Sequence, residues 1–273
     1  MPPEHAAPRT GWNSVARVAI FTRQMLAVAE ADVRKLRHDP FELLTRMVQP
    51  MLWLLIFGEV FARSRAIPTG DVSYLEFIAP GILAQSVLFV AIFYGVSVIW
   101  ERDLGILHKF LVSPIPRAGL VLGRALSSGV RGLSQAFIIY VLALMLGVRM
   151  RLGIDALVLV TLTVMLGSAV FSTFSLIAAC LVKTRERFMG IGQVLTMPLF
   201  FASNAIYPLS MMPPWLQSIA KANPLTYQVD ALRTLMIQGG STSFGLGVDY
   251  GVQLAALAVL TIVATKLYPT IIN

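Results

Sequence analysis

Charge is what this 273-residue chain has least of: 13% of its residues are Asp, Glu, Lys or Arg. An ordinary soluble domain carries roughly a quarter, so a water-soluble globular fold is excluded. With 56% hydrophobic residues and a mean hydropathy of +0.74, disorder is excluded as well. A single cysteine, Cys180, rules out a disulfide framework within the chain and any multi-cysteine metal centre. The three histidines, His5, His38 and His108, are too far apart in sequence to suggest a metal cluster. Phosphate-binding glycine loops, a G-x-S-x-G nucleophile elbow and an H-E-x-x-H pair are all missing. The sequence therefore offers no constellation for hydrolysis or redox chemistry.

What is present is apolar length. A spanning helix needs about 20 mostly apolar residues, and six stretches qualify: about 43–62, 77–100, 132–148, 154–182, 188–207 and 250–272. Apart from Asp155 at the very start of the fourth stretch, Glu59 is the single acid inside these stretches, and Lys266 sits close enough to an end to reach the headgroups. An even number of spans puts both termini on one side. With that side cytoplasmic, 16 of the 22 Lys and Arg and 8 of the 14 acidic residues lie inside. The whole +8 excess is then cytoplasmic, as the positive-inside rule requires. A basic balance that would suggest nucleic acid in a soluble protein here records orientation, and a nucleic-acid partner is not expected.

The fold class expected is an all-α integral membrane protein with two regions, 1–42 and 43–273. In the first, Val15, Val18, Ala19, Thr22, Leu26, Ala29, Val33 and Leu36 recur at helical spacing opposite Arg17, Gln24, Arg34 and Lys35. Such a helix can lie in the cytoplasmic headgroup layer, or be solvated and pack on a neighbouring protein. Directly after the second span, Leu104, Leu107, Phe110 and Leu111 share one face of a short helix ended by Ser113-Pro114. Beyond the fifth span, Pro208, Pro213, Pro214 and Pro224 divide 208–240 into two helices too short to cross, suited to re-entrant or interfacial positions. Within the fifth span Met197-Pro198 predicts a kink, with Ser203-Asn204 just beyond.

These residues resemble the membrane subunit of type-2 ATP-binding cassette exporters, closest to daunorubicin-resistance and nodulation-factor exporter permeases. The resemblance rests on Glu101-Arg-Asp-Leu-Gly-Ile-Leu through Leu111-Val-Ser-Pro-Ile-Pro-Arg117, on Pro213-Pro-Trp-Leu-Gln-Ser-Ile-Ala220, and on Asn223-Pro-Leu-Thr-Tyr-Gln-Val-Asp-Ala-Leu-Arg233. Asp103 and Ile106 stand where the family pattern usually has a second Glu and a small Thr or Ser.

The resemblance implies a permease in the bacterial cytoplasmic membrane that moves an amphiphile outward, such as a drug, glycolipid or lipid-linked saccharide. Its partners would be two cytoplasmic ATPase subunits, which bind the ATP and Mg, and a second permease subunit, identical or related. This chain itself would bind no cofactor and carry no catalytic residue. Glu101, Arg102, Asp103, Gly105, Leu107, His108, Lys109, Phe110, Ser113 and Pro114 would form the coupling helix that docks on the ATPase. Substrate would pass between the first and fifth spans of the dimer, with Gln49, Trp53, Glu59, Pro198, Ser203, Asn204 and Tyr207 as candidate path or gate residues. Pro213, Pro214, Trp215, Asn223, Pro224, Tyr227, Asp230 and Arg233 would belong to the re-entrant external helices. Two other readings stay open: an ion-gradient-driven secondary transporter, and a non-transporting membrane anchor or sensor.

Overall fold

Backbone groups removed from water must bond to one another, and an apolar chain does this most simply as helices. The structure, a computed structural model, describes residues 45, 48–58, 60–61, 67, 69, 72–104, 117–182 and 184–267. Among them the elements are helical: α1 (Val48–Phe57), α2 (Tyr74–Tyr94), α3 (Val96–Asp103), α4 (Arg117–Met145), α5 (Ile154–Leu181), α6 (Arg185–Phe201), α7 (Pro214–Ala222), α8 (Pro224–Met236) and α9 (Leu246–Leu267). A π-helical turn, Trp53–Phe57, lies in α1, and a 3-10 turn, Leu209–Met211, precedes α7. Extended pairing among the described residues is limited to one antiparallel bridge, Met150 with Ile237.

Four helical stretches are long and apolar enough to cross a membrane: Tyr74–Asp103, Leu120–Met145, Ile154–Leu181 and Leu246–Leu267. The helices outrun the apolar runs seen in the sequence. α4 starts at Arg117, well before Gly132, because Arg124 pairs with Glu101 and Arg131 lies 4.9 Å from the centre of the Tyr94 ring. Likewise α2 and α9 begin early enough to take in Glu76 and Asp249, acids that the apolar runs had left outside the spans. Each of those two acids sits in the first turn, where the helix dipole favours a negative charge.

The core forms around α5, which packs against α2, α4, α8 and α9. Small residues permit the close approach. A side chain added at Gly167 would run into Gln228 of α8, and one at Gly132 into Ser168 of α5. This is how helices associate where lipid removes the hydrophobic drive between them. Large apolar side chains point outward instead, among them Leu157, Val158 and Leu162 on α5 and Leu254, Val259 and Ile262 on α9. Such a surface is suited to hydrocarbon and unsuited to water.

Local chemistry starts and stops these helices. Ser73 and Glu76 form a reciprocal capping box at the head of α2. Pro214 and Pro224 occupy first-turn positions in α7 and α8, where the missing N–H has no intrahelical role. The amphipathic helix expected within 1–42 lies outside the described residues.

Candidate functional site

Two polar clusters terminate the bundle, one at each end. At the first, α3 ends in Glu101-Arg102-Asp103, and each side chain finds a partner within the chain. Both Arg124 guanidinium nitrogens of α4 donate to Glu101, one of them at 3.4 Å. Arg185, at the start of α6, donates to Asp103 through Nε at 3.1 Å and lies 2.9 Å from it through Nη2. Its guanidinium also covers the Trp100 ring at 3.5 Å, a cation–π contact. Arg102 bonds Asp103 at 3.3 Å and the Val182 carbonyl at 3.2 Å.

These charges are partly exposed, so each pair is worth about 1 kcal/mol or less. Their value is positional: α4, α6 and the α5–α6 link are tied to the end of α3, just before residues 105–116. The sequence named Glu101, Arg102 and Asp103 but missed Arg124 and Arg185, whose partners lie 23 and 82 positions away. No local pattern reports pairs that distant. Gly105, Leu107, His108, Lys109, Phe110, Ser113 and Pro114 lie outside the described residues.

The second cluster joins the opposite ends of α2, α6 and α8. Asn223 accepts from the Leu225 N–H at 3.0 Å, capping α8, and donates to the carbonyls of Leu199 and Ala202 at 2.7 and 3.0 Å. One side chain thus closes the start of α8 and the end of α6. Arg233 donates to the carbonyls of Asn204 (2.7 Å) and Phe77 (3.4 Å) and stacks on the Phe77 ring at 3.8 Å. Asp230 accepts from the Thr242 hydroxyl and from the N–H groups of Ser243 and Phe244, holding the loop before α9. Tyr227 donates to the Lys221 carbonyl at 2.7 Å and packs on Phe244.

Glu76, 5% exposed, bonds Arg149 at 3.0 Å, and this carboxylate holds the arginine above its ordinary value. The Ser73-x-x-Glu76 spacing could have flagged the cap from sequence; nothing local flagged Arg149. Pro213, Pro214 and Trp215 start α7, where Trp215 and Ile219 are exposed.

The candidate path residues divide into separate settings. Gln49 and Trp53 line an open apolar groove of about 440 Å³ on α1, with Thr45, Val48, Leu52, Ile56 and Phe57. Trp53 stacks on Phe57 at 4.3 Å and meets Phe200 of α6 edge-on at 5.7 Å, so the first and fifth apolar stretches touch. Pro198 is exposed four residues from the carboxyl end of α6, where its carbonyl accepts from Ala202, so the helix ends within a turn of it. Ser203 and Asn204 are buried in the turn that follows, and Tyr207 donates to the Phe201 carbonyl at 2.6 Å. Glu59 lies outside the described residues.

Comparison with known proteins gives this arrangement a family context. The model of the ABC-2 type transporter family matches residues 23–237, most of the chain. A protein named as a transport permease, ycf38, from Cyanophora paradoxa is 28% identical over 262 residues, covering 93% of this chain and 90% of that protein. A daunorubicin resistance ABC transporter permease protein, DrrB1, of Streptomyces coeruleorubidus is 27% identical over 236 residues, with 85% and 81% covered. The inner membrane transport permease YadH of Escherichia coli K12 is 24% identical over 196 residues, with 68% and 73% covered.

Proposed function

The chain belongs to the ABC-2 type transporter family, and from that premise we propose that it is the permease of an ATP-driven exporter of amphiphilic molecules. Two copies, or one copy and a related chain, form the passage, and two separate ATPase subunits bind ATP and Mg and drive it. All six apolar stretches cross the cytoplasmic membrane of a bacterium with both termini inside, and 208–240 lies at the outer face. An amphiphile enters from the inner leaflet or the cytoplasm and leaves between the first and fifth spans. The drug-resistance name of one relative supports a lipophilic cargo. The exposed apolar groove beside Gln49 and Trp53 supports the same class.

The observation that carries the mechanism is the ion-pair joint at Glu101-Arg102-Asp103. In this reading residues 105–114 dock on the ATPase as a coupling helix, with Leu107 and Phe110 as apolar anchors and His108 and Lys109 as polar contacts. Motion received there passes to α4 through Glu101–Arg124 and to α6 through Asp103–Arg185. A rigid displacement is the natural output of such a device. ATP drives export only if it favours one arrangement of these helices over the other.

The test is reconstitution of the permease with its ATPase in vesicles, reading ATP hydrolysis and outward movement of a fluorescent amphiphile together. Glu101→Lys should keep insertion and ATPase association but separate hydrolysis from transport. The double change Glu101→Arg with Arg124→Glu should restore part of the coupling, because the pair is rebuilt in reverse. Transport that needs an ion gradient and no ATPase would overturn the reading.

A further inference from the structure

Arg233 is a buried charged side chain whose hydrogen bonds all go to neutral groups. It is 8% exposed, yet no carboxylate forms an ion pair with it among the described residues. Glu76 is bonded to Arg149 and to the Ser73 N–H, and the Asp230 carboxylate faces the 242–244 loop. The guanidinium bonds only neutral carbonyls, through Nε and one of its two terminal nitrogens. Asp230, one turn earlier on α8, attracts the guanidinium through space but makes no bond to it, and a buried cation with no carboxylate in bonding contact is costly and is kept where it has a task.

This arginine borders a cavity of about 330 Å³, lined also by Asn204, Glu76, Leu209, Gly240, Ser241 and Ser243. Neither amide atom of the buried Asn204 has a hydrogen-bond partner. Ser241 and Ser243 are exposed at the mouth and bring hydroxyl groups. Glu76, the acid in this lining, is paired with Arg149, whose side chain is largely exposed, and so is offset there.

We propose that this cavity binds a phosphate group, carried either by a lipid headgroup or by a free phosphate compound. Arg233 supplies the charge, its spare terminal nitrogen the directed donor, and the serine hydroxyls the remaining bonds. Guanidinium–phosphate contact is among the stronger charge-assisted hydrogen bonds. The site stands apart from the groove on α1, and its binding needs no ATPase. A failed binding experiment therefore says nothing against the transport reading, which supplies only the side of the membrane on which the cavity opens.

The experiment uses the purified full-length chain. In detergent, unfolding is followed against inorganic phosphate and glycerol 1-phosphate, with chloride at matched ionic strength as the reference. In parallel, the chain is placed in phosphatidylglycerol or phosphatidylcholine nanodiscs. Saturable stabilisation by either phosphate compound is expected, weakened by about ten-fold or more in affinity in Arg233→Gln. Because Arg233 also supports the fold, Ser241→Trp is the second variant: it fills the mouth and leaves every Arg233 bond in place. It should unfold like the wild type without phosphate and lose the stabilisation. Stabilisation by phosphatidylglycerol alone, lost in Ser241→Trp, supports the site and assigns it to a lipid headgroup. Absence of any saturable effect, or wild-type affinity in both variants, overturns the proposal.

Discussion

Asn223 bonds three backbone groups and so serves two helices at once. Replacing it with Ala removes the cap of α8 and leaves two carbonyls near the end of α6 without their donor. Loss of the cap costs about 1 kcal/mol, and each unsatisfied buried group about 1–3 kcal/mol more. Asn223→Asp keeps the acceptor that caps α8 but loses the donor and should be destabilised by the carbonyl share alone. Unfolding in detergent should therefore rank wild type above Asp, and Asp above Ala; equal Asp and wild-type stabilities would contradict the double role. Asn223 was visible in the sequence as part of a motif, but its cap was not read there. Its reach back to Leu199 and Ala202 was not visible, because a side-chain bond across 24 and 21 positions leaves no periodic trace.

Helices meet here through small residues, so the fold is most sensitive where a crossing leaves no room. Gly167 of α5 lies against Gln228 of α8, and Gly167→Val should push those helices apart. Overpacking of this kind costs about 1–3 kcal/mol, enough to lower the melting temperature by several degrees. Gly251 in α9 has open space around it, and Gly251→Ala should be neutral or stabilising by up to about 1 kcal/mol. Elements of this length were legible from apolar runs, and α7 and α8 from the prolines that bound them. Helix starts were less legible. Hydropathy stops at a charge, whereas a helix continues through one that is paired, as α4 does past Arg131 and Arg124. A charge swap tests the joint between α3 and α6. Asp103→Arg or Arg185→Asp alone should lower the transport obtained per ATP hydrolysed, and the double swap should recover much of it. Equal coupling in all three variants would show that the pair does not pass on motion.

At the scale of the whole molecule, the proposed orientation, which rests on the distribution of charge, predicts which end faces which compartment. Cys180 is the only cysteine and lies on α5, so a Cys180→Ser background permits single reporters to be placed at will. Ser241→Cys should react with a membrane-impermeant maleimide in intact cells. Glu186→Cys, next to the Asp103–Arg185 joint, should react only after permeabilisation. The opposite pattern would invert the topology and place the phosphate cavity on the inner face. The sequence supplied the balance of charge on which this prediction rests. It could not supply the two clusters themselves, since each gathers residues from helices far apart along the chain.

The Glu76–Arg149 pair has a consequence for biosynthesis. Its members are 73 positions apart, so α2 leaves the ribosome with an acid whose partner has not yet been made. Until α4 has been inserted, the capping box of Ser73 is what keeps that carboxylate bonded. Arg233 arrives later still, in the last turn of α8, and its bonds to the carbonyls of Phe77 and Asn204 fasten a helix made long before to a turn made shortly before. The far end of the bundle is thus closed by residues synthesised after most of the spans. A chain truncated before Arg233 should reach the membrane yet remain open to proteases at that end.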